Sequence, residues 1–199
     1  MRIRIGSSLP LLLISAFAMA QSLPRKAMPY PKAKVSFEDF KHLVSVVEPH
    51  RASRLINLDT FLKMSREPGV IVLDTRSTFR FDRIHVLGAK HLCFTDFTQE
   101  NLSKVIPSFE TKVLIYCNNN FDGNPLDFAT KAGPPRRPQP ASPLATQLAA
   151  QERPILLALN IPTYINLYGY GYRNVYELDE LVHVNDPRIA FEGSVVPRK

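Results

Sequence analysis

The stretch that decides the fold is "KVLIYCNNNFDGN", Lys112 to Asn124. Its first half is an apolar run rich in β-branched residues, which is typical of a strand buried on both faces of a parallel sheet. The run ends at Cys117, and the asparagines and glycine that follow favour turns. The sequence therefore predicts a cysteine at the C-terminal end of a buried strand, the edge at which α/β sheets place their ligands. The alternative is a small, inert, buried thiol.

Outward from this stretch, strands alternate with helices. Apolar runs predict strands at "VIVLD" (Val70–Asp74), "GAKHLCF" (Gly88–Phe94) and "NVYEL" (Asn174–Leu178). Capping residues and apolar spacing predict helices from Ser36 to Pro49, Leu58 to Arg66, Ser77 to Arg83 and Thr98 to Val105, and another beginning near Pro162. In the first helix, Phe37, Phe40, Val44 and Val47 define the expected apolar face. This order predicts an α/β layer with a mostly parallel sheet.

The N-terminal residues have the pattern of an export signal. Arg2 and Arg4 precede the 12-residue apolar run Leu9–Ala20, which ends in a small-x-small triplet. The run is shorter than the roughly 20 residues of a membrane-spanning helix. We expect a signal peptide at residues 1–20 with cleavage after Ala20, hence a periplasmic or secreted protein with no stable membrane insertion after cleavage; an uncleaved anchor is the alternative. Residues 21–55 are then an N-terminal extension with one helix.

Charge and cysteine usage exclude several classes. Removal of residues 1–20 lowers the net charge from +7 to +5 (23 basic against 18 acidic residues), and the charges are scattered, which argues against nucleic-acid binding. The five histidines show no metal-ligand spacing, so no metal or other cofactor is expected. Cys93 and Cys117 are too few for a disulfide framework. They can pair with each other, or one of them can be reactive.

A Pro-rich stretch interrupts the alternation. "AGPPRRPQPASP", Ala132–Pro143, holds five prolines in 12 residues and can neither continue a helix nor pair inside a sheet. We expect an insertion near residues 124–153, either a cover over a site or a solvated excursion.

Four motifs, in order, resemble the rhodanese domain. They are Asp74-x-Arg76 after a strand, the segment from His85 to Ala89, the strand ending in Cys117, and "GYRNVYEL" (Gly171–Leu178). The resemblance implies a domain at residues 56–194 with a central, mostly parallel five-stranded sheet and helices on both faces. It implies a sulfurtransferase that carries sulfur as a persulfide on Cys117, using a sulfane sulfur donor and a thiol acceptor; with the N-terminal signal pattern, we expect an exported enzyme.

The resemblance also assigns supporting roles. Backbone amides of the loop would form a cradle for the thiolate and the anionic donor, and Asp74, Arg76 and His85 would support that edge; the loop residues are Asn118, Asn119, Asn120, Phe121 and Asp122. The loop departs from the family because it holds neither the usual glycine nor the usual arginine. The alternative is therefore an inactive rhodanese-fold binding module for a small ligand or protein partner. Phosphatase-like chemistry is a weaker third reading, since it too would need a loop arginine.

Overall fold

The computed structural model describes residues 30–133 and 154–196. Backbone contacts divide the chain at Val35, and every helix and strand described here belongs to the unit that begins at Ser36. Residues 30–35 are exposed and form neither helix nor strand. The expected signal peptide and most of the Pro-rich insertion lie outside the described residues. Within the described ranges, no helix combines the length and apolar character that a membrane crossing requires.

The central sheet has five parallel strands in the order β1-β9-β5-β2-β4. They are β1 (Leu55–Ile56), β2 (Ile71–Asp74), β4 (Lys90–His91), β5 (Val113–Tyr116) and β9 (Val175–Leu178). The register of β2 and β5 pairs Ile71 with Val113 and Asp74 with Tyr116. The shorter strands form three two-stranded ladders, β10 with β6, β11 with β3 and β7 with β8; they are β3 (His85–Val86), β6 (Phe121–Asp122), β7 (Ala132–Gly133), β8 (Ile155–Leu156), β10 (Val182–His183) and β11 (Phe191–Glu192).

Five α-helices occur in the described ranges: α1 (Phe37–Ala52), α2 (Leu58–Ser65), α3 (Thr78–Arg83), α4 (Gln99–Val105) and α5 (Asn160–Gly169). They cover both faces of the sheet. Leu114 and Tyr116 of β5 pack in one core cluster with α2, whereas Val113 and Ile115 pack in the other with α1, α4 and α5. Because successive strand residues point to opposite faces, a strand buried on both sides must be continuously apolar. The predicted α/β class, with a parallel five-stranded sheet between helices, is confirmed.

Helix α1 differs from its prediction at its C-terminal end, because it runs through Pro49 to Ala52. Proline lacks an N–H and normally ends or kinks a helix. Here the turn after Pro49 is held by tertiary contacts. Arg51 donates two hydrogen bonds of 2.6 Å to the Glu177 carboxylate in β9, and His50 contacts Tyr164 in α5. These contacts offset the lost helical hydrogen bond.

The predicted apolar face of α1 is also only partly buried. Val47 is buried, but Phe37 is 80% exposed and Phe40 is 46% exposed. The helix lies at the margin of the core, which it contacts through Val47 and the partly buried Leu43. Helical spacing alone identifies an apolar stripe and does not show how much of it is covered.

His50 is held as the neutral imidazole. The Tyr164 hydroxyl donates to the carbonyl of Val175, so it accepts from His50 Nδ1, 3.0 Å away. Arg54 Nε donates to His50 Nε2 at 3.2 Å, which requires that nitrogen to be unprotonated. Burial, followed by the charges of Arg54 and Arg173, lowers the pKa of His50.

Cys93 and Cys117 are both free thiols. The strand predicted at Gly88–Phe94 is shorter than expected, since β4 ends at His91 and a 3-10 turn begins at Phe94. Strands β4 and β5, which precede the two cysteines, lie on opposite sides of β2, and two strand spacings are about 10 Å. A disulfide needs Cα atoms within about 7 Å. The expected alternative of a Cys93–Cys117 pair is therefore wrong for this fold.

Candidate functional site

Cys117 lies at the C-terminal end of β5, between the ends of β2 and β9. Its side chain is fully buried, with 0% exposure. The backbone N–H of Leu159, just before α5, donates to its Sγ atom at 3.3 Å. The segment that returns from the insertion therefore covers the thiol.

Burial raises the pKa of the Cys117 thiol. The backbone N–H groups of Leu159 and Asn118 and the charge of Lys131 act in the opposite direction, and together they do not overcome burial. A reactive thiolate needs a lowered pKa and access to its electrophile. In this arrangement Cys117 has neither.

The loop after Cys117 is a single 3-10 turn, Asn118–Asn120, which leads directly into β6. The amides of Asn120 and Phe121 donate to the carbonyls of Cys117 and Asn118, and so they close the turn. Phe121 is buried, whereas Asp122 is exposed and opposite His183 in β10. The backbone N–H groups of residues 118–122 therefore do not all point to a common ligand, because those of Asn120 and Phe121 donate within the turn itself.

Asn120 holds the turn against the sheet edge. Its Oδ1 accepts from the backbone N–H of Cys117 at 2.8 Å and from Asn160 Nδ2 at 2.9 Å. Its Nδ2 donates to the carbonyls of Leu178 at 2.7 Å and Glu180 at 3.3 Å. One amide thus ties the β5 end, the β9 end and the start of α5 together. Its role here is to fix the loop.

The other two asparagines differ from each other. Asn119 exchanges two hydrogen bonds with the backbone of Lys131, which fixes the start of the insertion. Asn118 is buried, and its Oδ1 has no hydrogen-bond partner among the described residues. Leu159, Asn160 and Lys131 were missed at this site by sequence reasoning. The asparagine triplet was the signal that the loop is built on amide hydrogen bonds.

Asp74 and Arg76 form an ion pair in the core. Arg76 donates through its backbone N–H, Nε and Nη2 to the Asp74 carboxylate at 2.7–3.0 Å, and the Tyr116 hydroxyl donates to the same carboxylate at 2.6 Å. Nη2 of Arg76 also donates to the carbonyl of Ile84. Its guanidinium stacks over the Phe128 ring, 4.6 Å from the centroid. The guanidinium is committed to these partners, so it does not supply the arginine that the loop lacks.

His85 lies in β3, and its ring nitrogens contact the Phe81 carbonyl at 2.7 Å and the Glu192 carboxylate at 3.2 Å. Its ring stacks on that of Phe81. Glu192 also accepts from the backbone N–H of Gly88. These contacts link the chain before Gly88 to β11, and no hydrogen bond joins His85 to Cys117.

A cleft of about 220 Å³ opens beside the Cys117 turn. It lies at the C-terminal edge of β9 and at the first turn of α5. Its lining comprises Arg51, Asn119, Asn120, Leu156, Ala158, Asn160, Ile161, Glu177, Leu178, Asp179, Glu180 and Leu181. A larger concavity of about 950 Å³ lies under the C-terminal segment. We assign the candidate site to the smaller cleft, because it lies at the sheet edge where parallel strands end and because its walls include the cysteine turn.

Residues 57–137 match the family described as "Rhodanese-like domain". The matched range contains β2, β5, Cys117 and the turn after it, so the chain carries a rhodanese-like domain there. Strand β9 and helix α5, which lie beyond the match, complete the same sheet and its cover. The resemblance stated from the four motifs is confirmed for residues 57–137.

Comparison with solved structures gives similar chains, two of which are described here. The BH2092 protein from Bacillus halodurans is 20% identical, with 71% of this chain and 73% of that chain covered and a TM-score of 0.34. The Alr3790 protein from Anabaena sp. is 15% identical, with 71% and 94% covered and a TM-score of 0.37. No curated protein matches this chain.

Proposed function

We propose that this rhodanese-like domain is a binding module and that Cys117 is a structural thiol within it. The observation that carries the proposal is the complete burial of the Cys117 side chain beneath the Leu159 amide. A sulfur donor must reach Sγ in line with the bond that breaks, and the covering segment occupies that approach. The binding surface of the module is the cleft at the same edge of the sheet.

Mass spectrometry of the intact protein tests this proposal. The protein is incubated with thiosulfate, a polysulfide and a persulfide donor, with and without reductant. We expect no reductant-reversible gain of the mass of one sulfur at Cys117. A Cys93→Ser variant leaves one cysteine and assigns any signal. In the same variant, we expect an alkylating reagent to label the remaining thiol at least about 100-fold more slowly than a free thiol, because labelling requires local opening.

A second candidate is the sulfurtransferase implied by the family, with a persulfide on Cys117. It is favoured by the amides of Leu159 and Asn118, which contact Sγ and would stabilise a thiolate or a persulfide anion. It requires the segment that contains Leu159 to move away during the reaction. A reductant-reversible gain of one sulfur that disappears in Cys117→Ser would establish this function and overturn the binding-module proposal.

We also propose that the protein is exported, on the grounds of the charged and apolar pattern before Ala20. N-terminal sequencing of the protein recovered from an expressing bacterial host tests this, since cleavage after Ala20 leaves Gln21 as the first residue. Retention of Met1 on the recovered protein would contradict the proposal.

A further inference from the structure

We propose that the cleft beside Cys117 binds an extended peptide segment that carries alternating apolar and basic side chains. This inference rests on the proposed function and names the class of partner that the site accepts. It follows from the apolar rim of the cleft, from its charge and from its size.

The lining of the cleft includes three exposed apolar side chains. Leu156 in β8 is 70% exposed, Leu181 after β9 is 66% exposed and Ile161 in α5 is 50% exposed. All three line the one cleft although they come from three separate segments. Single exposed apolar side chains are ordinary, whereas several around one concavity mark a binding site.

The charge of the lining favours a cationic partner. It contains three carboxylates and one guanidinium. Arg51 forms a bidentate pair with Glu177, which leaves Asp179 and Glu180, both exposed. Glu180 accepts a hydrogen bond from the N-terminal amide of α2, and Asp179 forms no ion pair among the described residues. An anionic ligand would meet this excess of negative charge and be repelled.

The size of the cleft favours a peptide over a small molecule. A volume of about 220 Å³ is below the roughly 300–1,000 Å³ of pockets that enclose a drug-sized ligand. It suits one or two side chains of a longer chain that continues across the rim.

Fluorescence anisotropy with two labelled pentapeptides, Leu-Lys-Leu-Lys-Leu and Leu-Glu-Leu-Glu-Leu, tests the inference on the full-length protein. We expect the basic peptide to bind at least about tenfold more tightly at low salt. An Asp179→Lys variant should weaken it about fivefold. A Leu156→Asn, Leu181→Asn double variant should weaken it about tenfold or more. The matched controls are Leu126→Asn and Asp82→Lys, which change an exposed leucine and an exposed acid outside the cleft.

Equal binding of the two peptides, binding of neither, or an equal loss in the control variants would overturn the inference. The sulfur-loading measurement on the same preparation decides the proposed function separately. If Cys117 takes up no sulfur and the peptides bind equally, the module remains and the class of its partner is wrong. If Cys117 takes up sulfur, the proposed function itself fails.

Discussion

The buried Asp74–Arg76 pair has an internal counterpart that allows its free energy to be measured against a control. Asp186 and Arg188 have the same Asp-x-Arg spacing and the same three donors, the backbone N–H, Nε and Nη2 of the arginine, bonded to the aspartate. The two pairs differ in burial. The Arg76 side chain is 1% exposed, whereas that of Arg188 is 52% exposed. We therefore propose to replace each arginine by methionine and to compare the losses.

Arg76→Met leaves the Asp74 carboxylate buried with only the Tyr116 hydroxyl and one backbone N–H as donors, and it leaves the Ile84 carbonyl without its partner. Removal of one member of a buried pair destabilises a protein by about 3–5 kcal/mol. For a domain of this size that is a fall in Tm of about 6–20 °C. Arg188→Met removes exposed ion pairs with Asp186 and Asp59, which solvent screens, so it should destabilise the protein far less than Arg76→Met does.

Urea denaturation, followed by far-ultraviolet circular dichroism, gives both values. A third variant, Arg76→Lys, keeps the charge but loses the bidentate geometry, so we expect a loss between the other two. If Arg76→Met destabilises the protein no more than Arg188→Met does, the argument that burial gives this pair its structural weight is refuted.

Three further predictions concern single positions. Gly193→Ala should lower the free energy of unfolding by about 3 kcal/mol in a urea titration, because φ is +134° there and a Cβ atom would collide with the Arg83 carbonyl. The control Gly69→Ala, at φ +79° with open space around it, should lower it by about 1 kcal/mol. Equal losses in the two variants would contradict this reasoning. Asn120→Ala should lose about 2–4 kcal/mol, because it leaves two buried backbone groups unpaired. The pKa of His50 is lower in the folded protein than in the unfolded chain. As the pH falls through about 6.5, His50 is therefore protonated in the unfolded chain before it is protonated in the folded protein, and the free energy of unfolding declines below that pH. His50→Gln should flatten the urea midpoint between about pH 5 and 7, and an unchanged slope would show that other groups control the acid loss.

The sequence predicted the three central strands β2, β5 and β9 well, because they are largely buried on both faces, whereas the short edge strand β1 was not predicted from its residues. A continuous apolar run such as Val113–Tyr116 has few alternatives once turn residues bound it on the C-terminal side. The same reasoning located Cys117 at a strand end. It overestimated the strand at Gly88–Phe94, because an edge strand needs only a short ladder and the chain then turns at Phe94.

The state of the candidate site was not predictable from local patterns. Leu159 covers Cys117 although it lies 42 positions later in the chain. The length of the intervening insertion does not indicate where the chain returns to the domain. Asn160 joins Asn120 in the same way, from a segment that reads only as the approach to a helix. The family resemblance identified the thiol, whereas its burial depends on long-range packing.

The short β7–β8 ladder has a consequence for engineering. Gly133 pairs with Ile155 in antiparallel register, so the chain departs from the domain and rejoins it at neighbouring points. In general, doubling the length of a loop between two fixed ends adds only about 0.6 kcal/mol of closure entropy. The stability of the domain should therefore depend only weakly on the number of residues inserted between β7 and β8. A tag or a reporter sequence grafted between these two strands would leave the five-stranded sheet intact.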